Sequence, residues 1–133
     1  MSEPQITLEL NAREPTCRPG DTISGEFSIQ GVPPDDIKAV ELSVLWYTIG
    51  QGDEDLAVHY FERIAGEEGD GVDLRTPQRF QTELPNSPLS YDGLLVKVCW
   101  CVRVRLFLPQ GKQIVTEKPF ALGDVPAAKV LTP

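Results

Sequence analysis

The segment at residues 94–108, with the sequence LLVKVCWCVRVRLFL, decides the fold of this chain. Every second residue from Leu94 onward is apolar, and Trp100 lies near the middle of this row. The interleaved row contains Lys97, Cys99, Cys101, Arg103 and Arg105. A β-strand places the two rows on opposite faces, whereas a helix would scatter the apolar residues around its circumference. The segment therefore predicts a strand of about 50 Å with one face buried in a core.

Six further segments show strand patterns, and turns rich in glycine and proline separate them. They are residues 5–10, 22–29, 37–49, 56–64, 78–84 and 113–122. No segment has a convincing helical pattern, so the chain is predicted to be all-β, an antiparallel immunoglobulin-like β-sandwich of about seven strands. An immunoglobulin domain proper is not expected, because Cys99 and Cys101 flank Trp100 on one strand instead of lying on two separate strands.

Local signals add detail to this prediction. Pro19-Gly20 predicts a type II turn, in which the glycine takes a positive φ angle. Gly25 lies inside a predicted strand and indicates a bulge or a close neighbouring backbone. Residues 37–49 and 56–64 are predicted to form a hairpin around the turn at residues 50–55.

Length and charge restrict the kind of protein this can be. The 133 residues fit one domain, predicted to span residues 1–122 with a C-terminal tail at residues 123–133. The 20 acidic and 12 basic residues give a net charge of -8, which disfavours binding to nucleic acid and to anionic membranes. The sequence has no secretory signal and no apolar segment long enough for a membrane span, and its three cysteines fit a reducing compartment. We therefore expect a cytoplasmic protein without membrane insertion.

Four motifs occur in an order and spacing found in one family. They are the Pro19-Gly20-Asp21 turn before the strand with Gly25, the Phe80 strand that ends in Leu84-Pro85, the crossing with Ser87-Pro88 and Gly93, and Trp100 followed by Val102-Arg103-Val104. Together they resemble the amino-terminal half of arrestin-like domains, a family that also includes sporulation-control and Vps26-like proteins. The resemblance covers roughly residues 6–122. It implies an arrestin-type sandwich that acts as an adaptor for other proteins, without catalysis and without a cofactor.

The same resemblance also has limits. Arrestins are two sandwiches in tandem, and this chain has room for one, so their activation switch is not implied. The phosphate-sensing lysines of arrestins have no counterpart in this sequence, so binding of phosphorylated receptors is not implied either.

The basic residues of the long strand are the candidate partner-binding site. Lys97, Arg103 and Arg105 are expected on its outer face, about 7 Å or multiples of 7 Å apart, with Lys112 and Lys118 near the neighbouring strand. Such a stripe could receive an acidic peptide or a phosphate. The favoured alternative is pairing with glutamate and aspartate residues of the same chain. A homodimer through an edge strand such as residues 113–122 is a further alternative.

Two acidic loops suggest a second function, Ca²⁺-dependent binding. The loops at residues 50–55 and 66–73 contain the candidate ligands Asp53, Asp55, Glu68, Asp70 and Asp73. The predicted hairpin places the two loops at opposite ends of the sandwich, and the first loop lacks the glutamate of an EF-hand at its twelfth position. Solvated acidic loops are therefore the favoured interpretation.

Catalytic and metal chemistry have weaker support. A metal site would need Cys17, His59, Cys99 and Cys101 to converge, and their spacing does not require this. A thiol nucleophile would need His59 next to a thiol with a lowered pKa, and a single histidine in a strand is more often structural. The sequence has no G-x-S-x-G and no H-E-x-x-H motif. The prediction is a non-enzymatic module without metal, which binds an unidentified protein or peptide partner on a sheet face or edge.

Overall fold

The computed structural model describes residues 3–11, 16–50, 54–65 and 73–123, which form two packed β-sheets. The strands are β1 (Gln5–Leu10), β2 (Thr16–Cys17), β3 (Thr22–Gln30), β4 (Ala39–Gly50), β5 (Leu56–Ala65), β6 (Gln78–Glu83), β7 (Tyr91–Asp92), β8 (Val96–Phe107) and β9 (Gln113–Leu122). The helical segments of the described ranges are two 3-10 turns, Pro34–Asp36 and Pro109–Gly111. Neither turn is long or apolar enough to cross a membrane.

The smaller sheet has the strand order β1-β3-β6, and the larger sheet has the order β2-β9-β8-β4-β5. The short strand β7 pairs with the beginning of β8. All described pairs are antiparallel except β2 with β9, which is parallel. The predicted all-β sandwich is therefore confirmed. The seven strands with six or more residues are those that the sequence predicts, and the two-residue strands β2 and β7 are additional.

The apolar row of β8 faces the smaller sheet, as the alternation predicts. Trp100, Val102, Val104 and Leu106 are each at most 1% exposed. They belong to one core with the inward-facing residues of the other strands, including Phe27 and Ile29 of β3 and Phe120 of β9. Each such side chain contributes about 1.5–3 kcal/mol when it is fully buried, so this core is what holds the two sheets together.

The first residues of the predicted strand do not belong to it, which corrects the sequence prediction. Leu94 is 101% exposed and Leu95 is 76% exposed, and β8 begins at Val96. The Gly93 N–H donates a hydrogen bond to the Val96 carbonyl at 3.0 Å, so the chain turns at this point. The two leucines form the tip of this turn and lie outside the core.

The predicted turn and the predicted close approach are both present. Gly20 has a φ angle of 87°, and the Asp21 N–H donates to the Arg18 carbonyl at 2.9 Å, as a type II turn requires. Gly25 of β3 lies against the backbone of β1, where a Cβ atom at this position would meet the Glu9 carbonyl oxygen.

The predicted hairpin of β4 and β5 is also confirmed, with one irregularity. Its pairing shifts between Val44 and Leu45, which face Tyr60 and Val58. The residue between those two, His59, is the additional residue of a β-bulge.

Candidate functional site

The outer face of the larger sheet, meaning the face that points away from the smaller sheet, contains the predicted site. The strand register places residues of four strands on it. Among them are Leu56, Val58, Phe61 and Arg63 of β5, Glu41, Ser43, Leu45, Tyr47 and Ile49 of β4, Lys97, Cys99, Cys101, Arg103 and Arg105 of β8, and Val115, Glu117, Pro119 and Ala121 of β9.

This outer face is unusually apolar along β5. Leu56, Val58 and Phe61 are 55%, 49% and 52% exposed. The corresponding face of the smaller sheet is polar, and its residues include Thr7, Glu9, Ser24, Glu26, Ser28, Arg79 and Gln81. Large contiguous apolar patches mark interaction sites, whereas apolar residues that are exposed singly need no explanation.

The predicted basic residues all lie on the outer face, and two of them form ion pairs with the same chain. Lys97 Nζ is 3.3 Å from Asp92, and Arg103 Nε is 2.7 Å from Glu117. Arg105 faces Glu41 in the register, but Glu41 binds Arg63 at 2.8 Å. Internal pairing, the alternative considered for this stripe, is therefore present at two of its three positions. The role of these residues in partner binding stays a prediction.

Of the two lysines expected on the neighbouring strand, Lys118 is on it and Lys112 is not. Lys118 is on β9 but faces Val102, so it belongs to the inward-directed row and not to the outer face. Lys112 lies in the turn before β9. The strand β9 pairs with β8 along one of its edges. Along its other edge, Ala121 and Leu122 pair with β2.

Tyr47 of β4 lies on the outer face, opposite Cys99 of β8 in the register. Burial raises the pKa of its phenol, and the charges of Cys99, Cys101 and Glu117 raise it further, against a smaller lowering by Arg103. Cys101, which lies on the same face, is 2% exposed.

A hollow opens on the larger sheet where the neighbour of β8 changes. β9 pairs with β8 from Phe107 to Trp100, and β7 takes its place at Val98 and Lys97. The hollow has a volume of about 360 Å³. It is lined by Ser90, Tyr91, Asp92, Lys97, Val98, Cys99, Trp100, Pro119, Phe120 and Ala121.

The four candidate ligands of a metal or thiol site do not converge. His59 Nε2 donates to the Glu83 carbonyl oxygen at 2.7 Å, and its ring packs edge-on against Trp100 with centroids 6.1 Å apart. His59 therefore links the larger sheet to the smaller one, while Cys99 and Cys101 lie on the opposite face. Within the part of the chain that the structure describes, no group of three His, Cys, Asp or Glu residues could hold a metal ion.

The two outer-face thiols should differ strongly in reactivity. Burial, more than the nearby Glu117, raises the pKa of Cys101 to about 11. At pH 8 roughly one molecule in a thousand would then carry the reactive thiolate, a fraction that rises about tenfold per pH unit. We expect iodoacetamide to modify Cys99, which is partly exposed, while Cys101 stays unmodified in the folded protein. Tandem mass spectrometry measures this, Cys99→Ser is the control, and equal labelling of the two thiols would contradict it.

The Ca²⁺ alternative concerns residues that are partly outside the described ranges. Asp53, Glu68 and Asp70 lie outside them. The Asp55 N–H donates to Thr48 Oγ1 at 2.8 Å. Asp73 binds Arg75 at 3.1 Å, and hydrogen bonds from Arg75 lower the pKa of its carboxyl group. Ca²⁺ binding by these loops stays a prediction.

The sheet order, the core and the register define an all-β protein with an arrestin-like β-sandwich. Among solved structures, the chain is similar to the crystal structure of Spo0M, a sporulation control protein from Bacillus subtilis, with 15% sequence identity and a TM-score of 0.64. The similarity covers 93% of this chain and 51% of the Spo0M chain, so this chain spans about half the length of Spo0M. No family model and no curated protein matches the sequence. The likeness to Spo0M shows the fold.

Sequence reasoning missed two parts of this face. The apolar residues Leu56 and Val58 alternate in the sequence and could have been noticed, but the bulge at His59 breaks the alternation before Phe61. The hollow depends on β7, and two residues are too few to give a periodic pattern.

Proposed function

We propose that this chain is a non-enzymatic protein-interaction module, an adaptor, which binds a protein partner on the outer face of its larger sheet. The observation that carries the proposal is the difference between the two outer faces. The smaller sheet presents polar side chains, whereas the larger sheet presents Leu56, Val58 and Phe61 half-exposed in neighbouring positions. Burial of apolar surface is the dominant favourable contribution to most protein–protein association.

The charges on this face are compatible with such a role. Its strands carry Lys97, Arg63, Arg103 and Arg105 against Asp92, Glu41 and Glu117, although the whole chain has a net charge of -8. Aromatic residues and arginine are enriched at the centres of protein interfaces. Three free thiols fit a reducing compartment, so we place this activity in the cytoplasm.

Affinity capture with surface variants tests the proposal. The variant Phe61→Gln/Arg105→Glu changes the outer face without breaking a described ion pair. The matched control, Arg79→Glu, makes the same charge change on the outer face of the smaller sheet. We expect proteins captured by the wild type from native lysate to be lost with the first variant and retained with the control.

Circular dichroism first establishes that each variant is folded. Equal capture by the two folded variants would remove the outer face of the larger sheet as the binding surface.

A further inference from the structure

We propose that the hollow beside Cys99 binds an apolar side chain of an extended partner segment, and that Arg105 binds a carboxylate six residues away along that segment. This inference rests on the proposed function and names the chemistry of the partner.

The size and lining of the hollow favour an apolar guest. A volume of about 360 Å³ lies near the lower end of the range for small-molecule pockets, roughly 300–1,000 Å³. Most of the lining residues are apolar or aromatic, among them Val98, Pro119 and Ala121. A leucine or phenylalanine side chain fits a space of this kind.

Three polar side chains of the hollow, those of Ser90, Asp92 and Lys97, already have partners. The Ser90 hydroxyl accepts the Leu122 N–H at 2.8 Å, and Lys97 pairs with Asp92 at 3.3 Å. A polar guest would have to compete with these contacts, whereas an apolar guest leaves them in place. These three paired groups, together with the mainly apolar lining, favour an apolar side chain.

Arg105 supplies the second contact. It is partly buried on the outer face and forms no ion pair with any described residue. Its neighbour on β4 is Glu41, which forms an ion pair with Arg63. Its neighbour on β9 is Val115. A carboxylate that reaches a partly buried guanidinium makes a charge-assisted hydrogen bond, which is stronger than a neutral one.

The spacing between the two contacts follows from the strand. Cys99 and Arg105 lie on the same face of β8 and are six residues apart. At about 3.3 Å per residue the separation is roughly 20 Å, which an extended partner segment also covers in six residues. A helical segment would need about 13 residues for the same distance. Tyr47 and the Arg103–Glu117 pair lie between the two contacts.

Synthetic peptides provide the test. The full-length ¹⁵N-labelled protein is titrated with seven-residue peptides that carry phenylalanine and glutamate at their two ends, in both orders, with serine and threonine between them. Comparison peptides carry lysine instead of glutamate, or place the two residues two positions apart. We expect one order to shift the amide signals of Cys99, Ala121 and Arg105. Its lysine analogue and its shortened analogue should each bind about tenfold more weakly.

Two protein variants separate the two contacts. Ala121→Leu partly fills the hollow and should weaken the phenylalanine peptide, while Arg105→Ala should weaken it about tenfold and abolish the preference for glutamate over lysine. The matched control Arg79→Ala should bind as the wild type does. Each variant is used only if its amide spectrum shows a folded protein, and the two act independently.

The inference is overturned if no peptide shifts these signals at millimolar concentration. It is also overturned if the affinity does not depend on the spacing between the two residues, or does not differ between the glutamate and lysine peptides. In that case the capture experiment still decides the proposed function, because it depends on the whole outer face and not on the hollow.

Discussion

Replacing Trp100 with alanine is expected to lower the free energy of unfolding by about 4 kcal/mol. The side chain is 1% exposed and packs against the ring of Phe120, with centroids 5.8 Å apart, and against His59. Its indole N–H also donates to the Pro88 carbonyl at 2.8 Å. The substitution therefore leaves a cavity between the two sheets and removes a contact that holds residues 85–90 against the larger sheet.

Trp100→Phe separates these two effects. It retains an aromatic ring but leaves the Pro88 carbonyl without its donor, which costs about 1–3 kcal/mol. Urea denaturation followed by far-UV circular dichroism measures both variants. The control Val115→Ala, at a position that is 44% exposed, should change the free energy of unfolding by less than about 0.5 kcal/mol. A loss below 1 kcal/mol for Trp100→Ala would contradict the central place of this residue in the core.

The alternation around Trp100 was sufficient to predict the buried face of β8, because the strand period of two leaves no other arrangement for Val102 and Val104. The same pattern failed at Leu94 and Leu95, which are apolar but lie in a turn closed by a backbone hydrogen bond. A hydrogen bond between backbone groups cannot be predicted from the pattern of apolar and polar side chains. The limits of a strand depend on where its partners begin and end, and this is a property of the whole sheet.

The candidate site shows a similar division. The outer position of Arg103 and Arg105 follows directly from the sequence, since they alternate with the buried row. The sequence does not show that Arg103 forms an ion pair and that Arg105 forms none with the described residues. Arg103 meets Glu117 because β9 pairs with β8 in one particular register, and Arg105 is left without an ion pair among the described residues because Arg63 of β5 occupies Glu41. Register across three strands is long-range information that a single strand does not contain.

Replacing Gly25 with alanine is expected to cost about 3 kcal/mol of stability, the upper part of the range for an overfilled interior. A Cβ atom there would meet the Glu9 carbonyl oxygen and would lie 2.9 Å from Phe80 Cζ and 3.2 Å from Leu10 Cα. Two of these three atoms belong to the backbone of β1, which is paired with β3 from Gln5 to Leu10 and cannot easily move away. The larger side chain of Gly25→Val should prevent folding.

Gly111→Ala is the matched control, because it separates crowding from backbone strain. Apart from Gly111 itself and its two chain neighbours, no residue has an atom within 4 Å of a Cβ at this position, but the φ angle of 74° is unfavourable for alanine and costs about 1–2 kcal/mol. Thermal unfolding of the two variants should therefore show a larger loss for Gly25→Ala. Hydrogen exchange should also show faster exchange in β1 for Gly25→Ala alone, because the added methyl group pushes β1 away from β3. An equal or smaller loss than for Gly111→Ala would mean that β1 has room to move, and that the smaller sheet is less tightly packed than the close approach at Gly25 indicates.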